Sequence, residues 1–191
     1  MRLVAGTASV ADVDAFVAAL PGDEYDCAVQ AFDAAYVADR GHLEAAVEHA
    51  TRAFERGENV ASDRAVEILL YAAGRRQIRQ ALEMGVGEGE QDVVVVVDGG
   101  SGSDGRGSDE GSGGAATAPV GDEAGAAAAV VDVLEDATVL DADDALTGDG
   151  VYGNPATIRA FFDVSDAELD AAAGDLAGVV RERVALLDVE K

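Results

Sequence analysis

The chain has one cysteine, three prolines, no tryptophan and a single lysine, Lys191. A lone cysteine, Cys27, cannot close an internal disulfide, which suits a reducing cytoplasm. Bases are scarce altogether: 13 Lys+Arg stand against 38 Asp+Glu, a formal net charge of −25 over 191 residues. Such a chain does not hold nucleic acid through bulk charge, because phosphate binding needs a basic footprint. It is not drawn to anionic lipid either. No apolar run approaches the ~20 residues needed to span a bilayer. The N-terminus turns acidic by Asp12, so no secretory signal is visible. Three site motifs are also missing: G-x-x-x-x-G-K-[ST], H-E-x-x-H and C-x-x-C. The expectation is a cytoplasmic protein with no catalytic residue, no cofactor, no metal and no membrane partner.

What is present is apolar and acidic. Hydrophobic residues make up 49% of the chain but aromatics only 5%, so a core must come from Val, Leu, Ile and Ala. Acid is spread along the whole length, and every base but Lys191 is arginine. This surface reads as that of an extreme halophile, where carboxylates hold hydrated cations and molar salt cuts the Debye length to ~3 Å.

The patterning predicts an α+β fold: a small sheet of about four strands, with β-α-β connections, helical hairpins and C-terminal helices packed on it. Leu3 to Gly6 reads as a strand. Val10, Val13, Phe16, Val17 and Leu20 recur at helical spacing up to Pro21-Gly22, and Cys27 to Phe32 reads as a second strand. Residues 42–57 carry an apolar stripe of Leu43, Ala46, Val47, Ala50 and Phe54, a Glu48–Arg52 pair on the other face, and Gly57 as C-cap. Ser62 is the expected N-cap of a helix whose run Ala65 to Ala73 is apolar nearly all round, so it should be central and end at Gly74. A further helix is expected from Arg75 to Met84, with Ile78, Ala81 and Leu82 inward. Val93 to Val97 reads as a strand buried on both faces.

Residues 99–119 form a Gly/Ser/Asp linker with no apolar periodicity, read as a disordered insertion in a single domain of residues 1–191. Beyond it, Ala124 to Leu134 reads as helix and Ala137 to Leu140 as the fourth strand. Asn154-Pro155 starts a short helix with Ile158, Phe161 and Phe162. Ser165 and Glu168 form a capping box that opens one long helix through Leu169, Ala172, Leu176, Val180 and Leu187.

Most candidate sites dissolve on inspection. His42 and His49 lie seven apart on one helix, two turns from each other, which fits a surface or partly packed pair rather than a metal clasp. Cys27 fits a buried strand position. Gly100 to Gly105 matches G-x-G-x-x-G after a strand, but no helix opens on its third glycine and Asp104, Asp109 and Glu110 would repel a pyrophosphate. Asp141, Asp143 and Asp144 are the acids a small-enzyme reading would use, and nothing marks one as perturbed.

One constellation stands out. Arg75, Arg76 and Arg79 cluster in a chain that is otherwise acidic. At the start of a helix they would oppose the dipole unless an anion is present, so helix N–H groups and guanidinium forks together suggest an anion site. The alternative is an internal salt bridge such as Arg79 with Glu83. If the anion reading holds, replacing Arg75 and Arg76 by alanine should leave the melting temperature nearly unchanged.

The stretches Arg52–Asn59, Glu67-Ile-Leu-Leu-Tyr-Ala-Ala-Gly-Arg-Arg-Gln-Ile78 and Ala81–Gly85, with the ending Glu182-Arg-Val-Ala-Leu-Leu-Asp188, resemble the kinase-binding subunit of the KEOPS complex, the TPRKB-like family. The resemblance covers most of residues 1–97 and 155–191. The Gly-rich segment has no counterpart in it. It implies a non-catalytic subunit in tRNA threonylcarbamoyladenosine modification, which docks directly on the KEOPS kinase/ATPase subunit and meets the other subunits through it. It also implies help in recruiting tRNA by its 3′ CCA end. RNA contacts are then expected at Arg75, Arg76 and Arg79, with Asn59 in the preceding loop as a further candidate. Kinase docking would use weakly apolar surface on residues 62–84 and the C-terminal helix, including Leu187. The alternative is a free-standing single-stranded RNA-end-binding module without a kinase partner.

Overall fold

The computed structural model describes residues 1–100, 121–140 and 153–188. Four strands form one antiparallel sheet in the order β2-β3-β1-β4: β1 Arg2–Val10, β2 Ala28–Asp33, β3 Gly89–Asp98 and β4 Glu135–Leu140. Because β3 lies between β1 and β2, and β1 between β3 and β4, two split β-α-β units interleave. Helices α1 (Val13–Ala19) and α5 (Glu123–Val133) make the two crossovers. Between β2 and β3 the chain inserts α2 (Arg40–Arg56), α3 (Arg64–Ala73) and a short α4 (Ile78–Ala81), and after β4 come α6 (Pro155–Phe161), α7 (Asp166–Ala171) and α8 (Leu176–Leu186).

The five consecutive valines of β3 explain the layering. Side chains alternate across a strand, so Val94 and Val96 join the core under α2, α3, α6 and α8, while Val93, Val95 and Val97 join the core under α1 and α5. All five are fully buried. The edge strand β4 follows β1 only with a register shift between Ala5 and Thr7. Gly6 makes that shift possible, since a Cβ there would meet the Glu135 carbonyl at 2.9 Å.

Helix α2 follows its pattern, with Leu43, Ala46, Val47 and Ala50 buried, Arg52 paired to Glu48 at 2.6 Å and Gly57 closing it in the left-handed region. Asn154 caps α6, and the Ser165–Glu168 capping box opens α7. Cys27 is buried just ahead of β2.

Five expectations are corrected. Val10 belongs to the end of β1 rather than to a helix, because Asp12 caps α1 through the Ala15 N–H, and Val17 is 52% exposed. The cap of α3 is Asp63, whose carboxylate reaches the Val66 N–H, not Ser62. The helix expected over Arg75–Met84 shrinks to Ile78–Ala81 and a 3-10 turn over Leu82–Met84, which leaves Ile78 46% and Leu82 56% exposed. The long C-terminal helix is two helices, broken where Ala173 (φ 53°) and Gly174 (φ 85°) turn left-handed and Asp175 caps α8 through the Gly178 N–H. His42 is not at the surface: it is fully buried, donating from Nε2 to the Ala72 carbonyl at 2.8 Å and accepting the Ala38 N–H at Nδ1. Most of the linker at 99–119, and Asp141, Asp143 and Asp144, lie outside the described residues.

Candidate functional site

Helix α3 sets the geometry of the arginine cluster. Residues Glu67 to Ala73 are all buried, which makes it the central helix of its layer. It ends in a Schellman turn: Gly74 (φ 58°) donates to the Tyr71 carbonyl at 2.9 Å and Arg75 to the Leu70 carbonyl at 3.0 Å. The chain therefore turns sharply, and Arg75 and Arg76 leave the layer before α4 begins.

Because α4 starts at Ile78 and is one turn long, Arg75 and Arg76 do not sit at a helix N-terminus. The dipole argument fails, and each arginine has a partner inside the fold instead. Arg75 donates to the Phe161 carbonyl at 2.7 Å and lies over the Phe161 ring at 5.5 Å, a cation–π contact. Phe161 is itself wedged edge-on against Tyr36 and Phe162. Arg76 donates to the Leu187 carbonyl at 3.0 Å. Arg79 is exposed, and among the described residues it forms no ion pair with Glu83. The exposed Ile78 and Leu82 lie on the same short segment, so this corner offers one free guanidinium beside apolar surface.

Asn59 is not part of the corner. It lies in the α2–α3 loop, at the opposite end of α3, and ten residues of helix span about 15 Å. Its Nδ2 donates to the Ala61 carbonyl at 2.8 Å. The loop is anchored by Glu67, a 1% exposed carboxylate that accepts the Val60 N–H at 3.0 Å and the Ala61 N–H at 2.7 Å. Sequence reasoning missed Glu67. The signal was there: a single acid inside an otherwise apolar helix must be hydrogen-bonded, since an unpaired buried charge is too costly.

Beside Arg75 a shallow cleft of about 310 Å³ opens between the end of α3, the α6–α7 turn and α8. Gly74, Arg75, Phe162, Asp163, Arg183 and Leu186 line it. Arg183 pairs with Glu168 at 2.6 Å, whose carboxyl is held below the usual range by the Ser165 N–H and hydroxyl, with Arg183 adding to the effect. Leu187, expected as a docking residue, is 6% exposed and faces the core; the exposed neighbour is Leu186, at 45%.

The other histidine, His49, stacks on Tyr71 with ring centroids 5.6 Å apart. Its Nδ1–H donates to Asp188 at 2.6 Å, and the Tyr71 hydroxyl donates to the same carboxylate at 2.5 Å. Burial, and then the bond to Asp188, pushes the Tyr71 hydroxyl pKa up. Among the described residues no group of three or more His, Cys, Asp and Glu side chains is placed to hold a metal ion, and no helix is long and apolar enough to cross a membrane.

A search of curated proteins finds no match to this chain. The profile of the kinase-binding proteins CGI-121 does match, over residues 8–188, from within β1 to the turn after α8. The chain therefore belongs to the CGI-121 family of kinase-binding proteins.

Proposed function

We propose that the protein is a non-catalytic accessory subunit of the KEOPS complex, serving tRNA threonylcarbamoyladenosine modification. It binds and supports the KEOPS kinase/ATPase subunit, meets the other subunits through that kinase, and helps recruit tRNA by its 3′ CCA end. The observation that carries the reading is the family match over nearly the whole chain to proteins described by kinase binding. The segments that suggested it lie at the end of α2 and in the loop after it, on α3 and the chain that follows it, and at the end of α8; α2, α3 and α8 pack on one another.

On this reading the RNA end meets the corner after α3. Arg79 supplies a mobile phosphate contact, and Arg75 and Arg76 supply fixed ones. Ile78 and Leu82 give apolar surface on which an unstacked base can lie. Asn59 is an outlying contact at the far end of α3. The kinase takes the apolar surface of α8 around Leu186. The chain acts as one domain of residues 1–191 interrupted by the 99–119 insertion, in a cytoplasm of molar salt. There the Debye length is ~3 Å, so repulsion from the net charge of −25 opposes RNA binding less.

The test compares intact tRNA with the same tRNA lacking its 3′ CCA, in molar KCl. The reading predicts binding of the first and at least tenfold weaker binding of the second. Equal affinity for both would overturn recruitment through the 3′ end.

A further inference from the structure

The end of α8 is tied to the rest of the fold by side chains that the reading above does not use. Asp188 accepts the Tyr71 hydroxyl on Oδ1 at 2.5 Å and the His49 Nδ1–H on Oδ2 at 2.6 Å. Tyr71 is 1% exposed and belongs to the central helix α3; His49 belongs to α2. One residue before Asp188, the Leu187 carbonyl accepts the Arg76 guanidinium at 3.0 Å. The turn that receives Arg76 is thus clamped from two helices by the carboxylate next to it.

Arg76 carries a second mark. Its Nε is the one buried side-chain polar atom without a hydrogen-bond partner among the described residues. Leaving a buried N–H unpaired is unfavourable, so a guanidinium free to choose would turn toward water or a carbonyl. This one keeps its Nε unpaired while it donates to the Leu187 carbonyl, so that carbonyl is the hydrogen-bond acceptor that orients it. A long side chain already fixed loses less rotamer freedom when a ligand arrives, which raises affinity without any new contact.

We propose that Asp188 is a positioning residue: by clamping the last turn of α8 to Tyr71 and His49, it places the Leu187 carbonyl that orients Arg76 for the RNA end. The relay runs from a carboxylate that never meets RNA, through one backbone carbonyl, to the guanidinium that does. It rests on the proposed role of Arg76, so its test must separate the two.

The experiment is a double-mutant cycle on the full chain in molar KCl. Its readout is fluorescence anisotropy with a 5′-labelled single-stranded RNA ending in CCA-3′, taken well below the melting temperature of every variant. Asp188→Ala and Arg76→Ala each weaken binding about three- to tenfold. Asp188→Ala adds nothing in the Arg76→Ala background. A merely structural role would make the two losses multiply, and that result overturns the proposal. So does wild-type affinity of Asp188→Ala beside a weakened Arg76→Ala, which leaves the RNA role of Arg76 standing. Wild-type affinity of Arg76→Ala itself removes both. Where Asp188→Ala does not fold, Tyr71→Phe decides by the same pattern, because it removes one donor of the clamp and keeps the ring.

Discussion

Gly121 donates its N–H to the carbonyl of Gly99 at 3.0 Å. The chain that leaves the end of β3 and the chain that enters α5 therefore meet at one hydrogen bond, and Glu123 adds a second tie by accepting the Gly99 N–H at 2.9 Å. The insertion has a closed neck. Deleting residues 100–117 keeps both ends of it and shortens the loop, which lowers closure entropy by about 1–2 kcal/mol. The expected outcome is a melting temperature equal to or above that of the full chain, with kinase binding retained. A fall of ten degrees, or loss of the complex, would show that the segment contributes to the fold or the interface.

The three arginines separate by their partners. Arg75 has a carbonyl and an aromatic face, so Arg75→Ala should cost about 1–2 kcal/mol of stability. Arg79 has neither, so Arg79→Ala should leave the melting temperature within a degree or two while weakening RNA binding. This revises the expectation that Arg75 and Arg76 can be replaced together with the melting temperature nearly unchanged, because both are bonded within the fold. Thermal melts of the two single variants decide it.

His42 makes stability depend on pH. Burial first of all holds its pKa down, from 6.5 to about 4, against the bond to the Ala72 carbonyl that raises it. The unfolded chain takes up a proton near pH 6.5 and the native one only near pH 4. Its contribution is therefore whole above pH 6.5 and is lost as the pH falls from 6.5 toward 4, by up to about 3 kcal/mol. His42→Gln, which cannot protonate and still offers an amide donor to Ala72, should flatten the stability slope between pH 6.5 and 5. An unchanged slope would place the proton elsewhere.

Glu67 is worth more than its single charge suggests. Glu67→Ala leaves two neighbouring backbone N–H groups, of Val60 and Ala61, without their acceptor. The expected loss is about 2–4 kcal/mol, from two unsatisfied donors at about 1–3 kcal/mol each, partly relieved by water. Urea unfolding measures it, and faster amide exchange at Val60 and Ala61 should accompany the loss. A loss below half a kcal/mol would mean the loop finds other partners.

Elements whose signal is local were legible in the sequence. The valine run of β3, the α2 stripe, the glycines that close α2 and α3, and the caps at Asn154 and Ser165 all act within a turn or a strand. What failed was decided at a distance or by backbone conformation. Gly174-Asp175 carried a local signal for the break in the last helix, a glycine followed by a capping Asp, which the continuous apolar spacing masked; the left-handed turn at Ala173 has no such signal. Ile78 and Leu82 have helical spacing, yet no element among the described residues covers them. The arginine cluster was visible as an anomaly of charge, but the acceptors for Arg75 and Arg76 lie 86 and 111 residues away. The Asp188 clamp joins residues 117 and 139 apart, beyond any reading of motif or period.

As the kinase-binding subunit of a KEOPS complex, the role proposed above, this chain binds the KEOPS kinase subunit directly. The most direct measurement mixes it with the KEOPS kinase subunit of the same organism and follows size exclusion in about 2–3 M KCl, where charge repulsion is almost fully screened. The account predicts a single stoichiometric complex that survives dilution. Two separate peaks for the folded proteins would contradict it, and the arginine corner would then belong to an RNA-end binder that works alone.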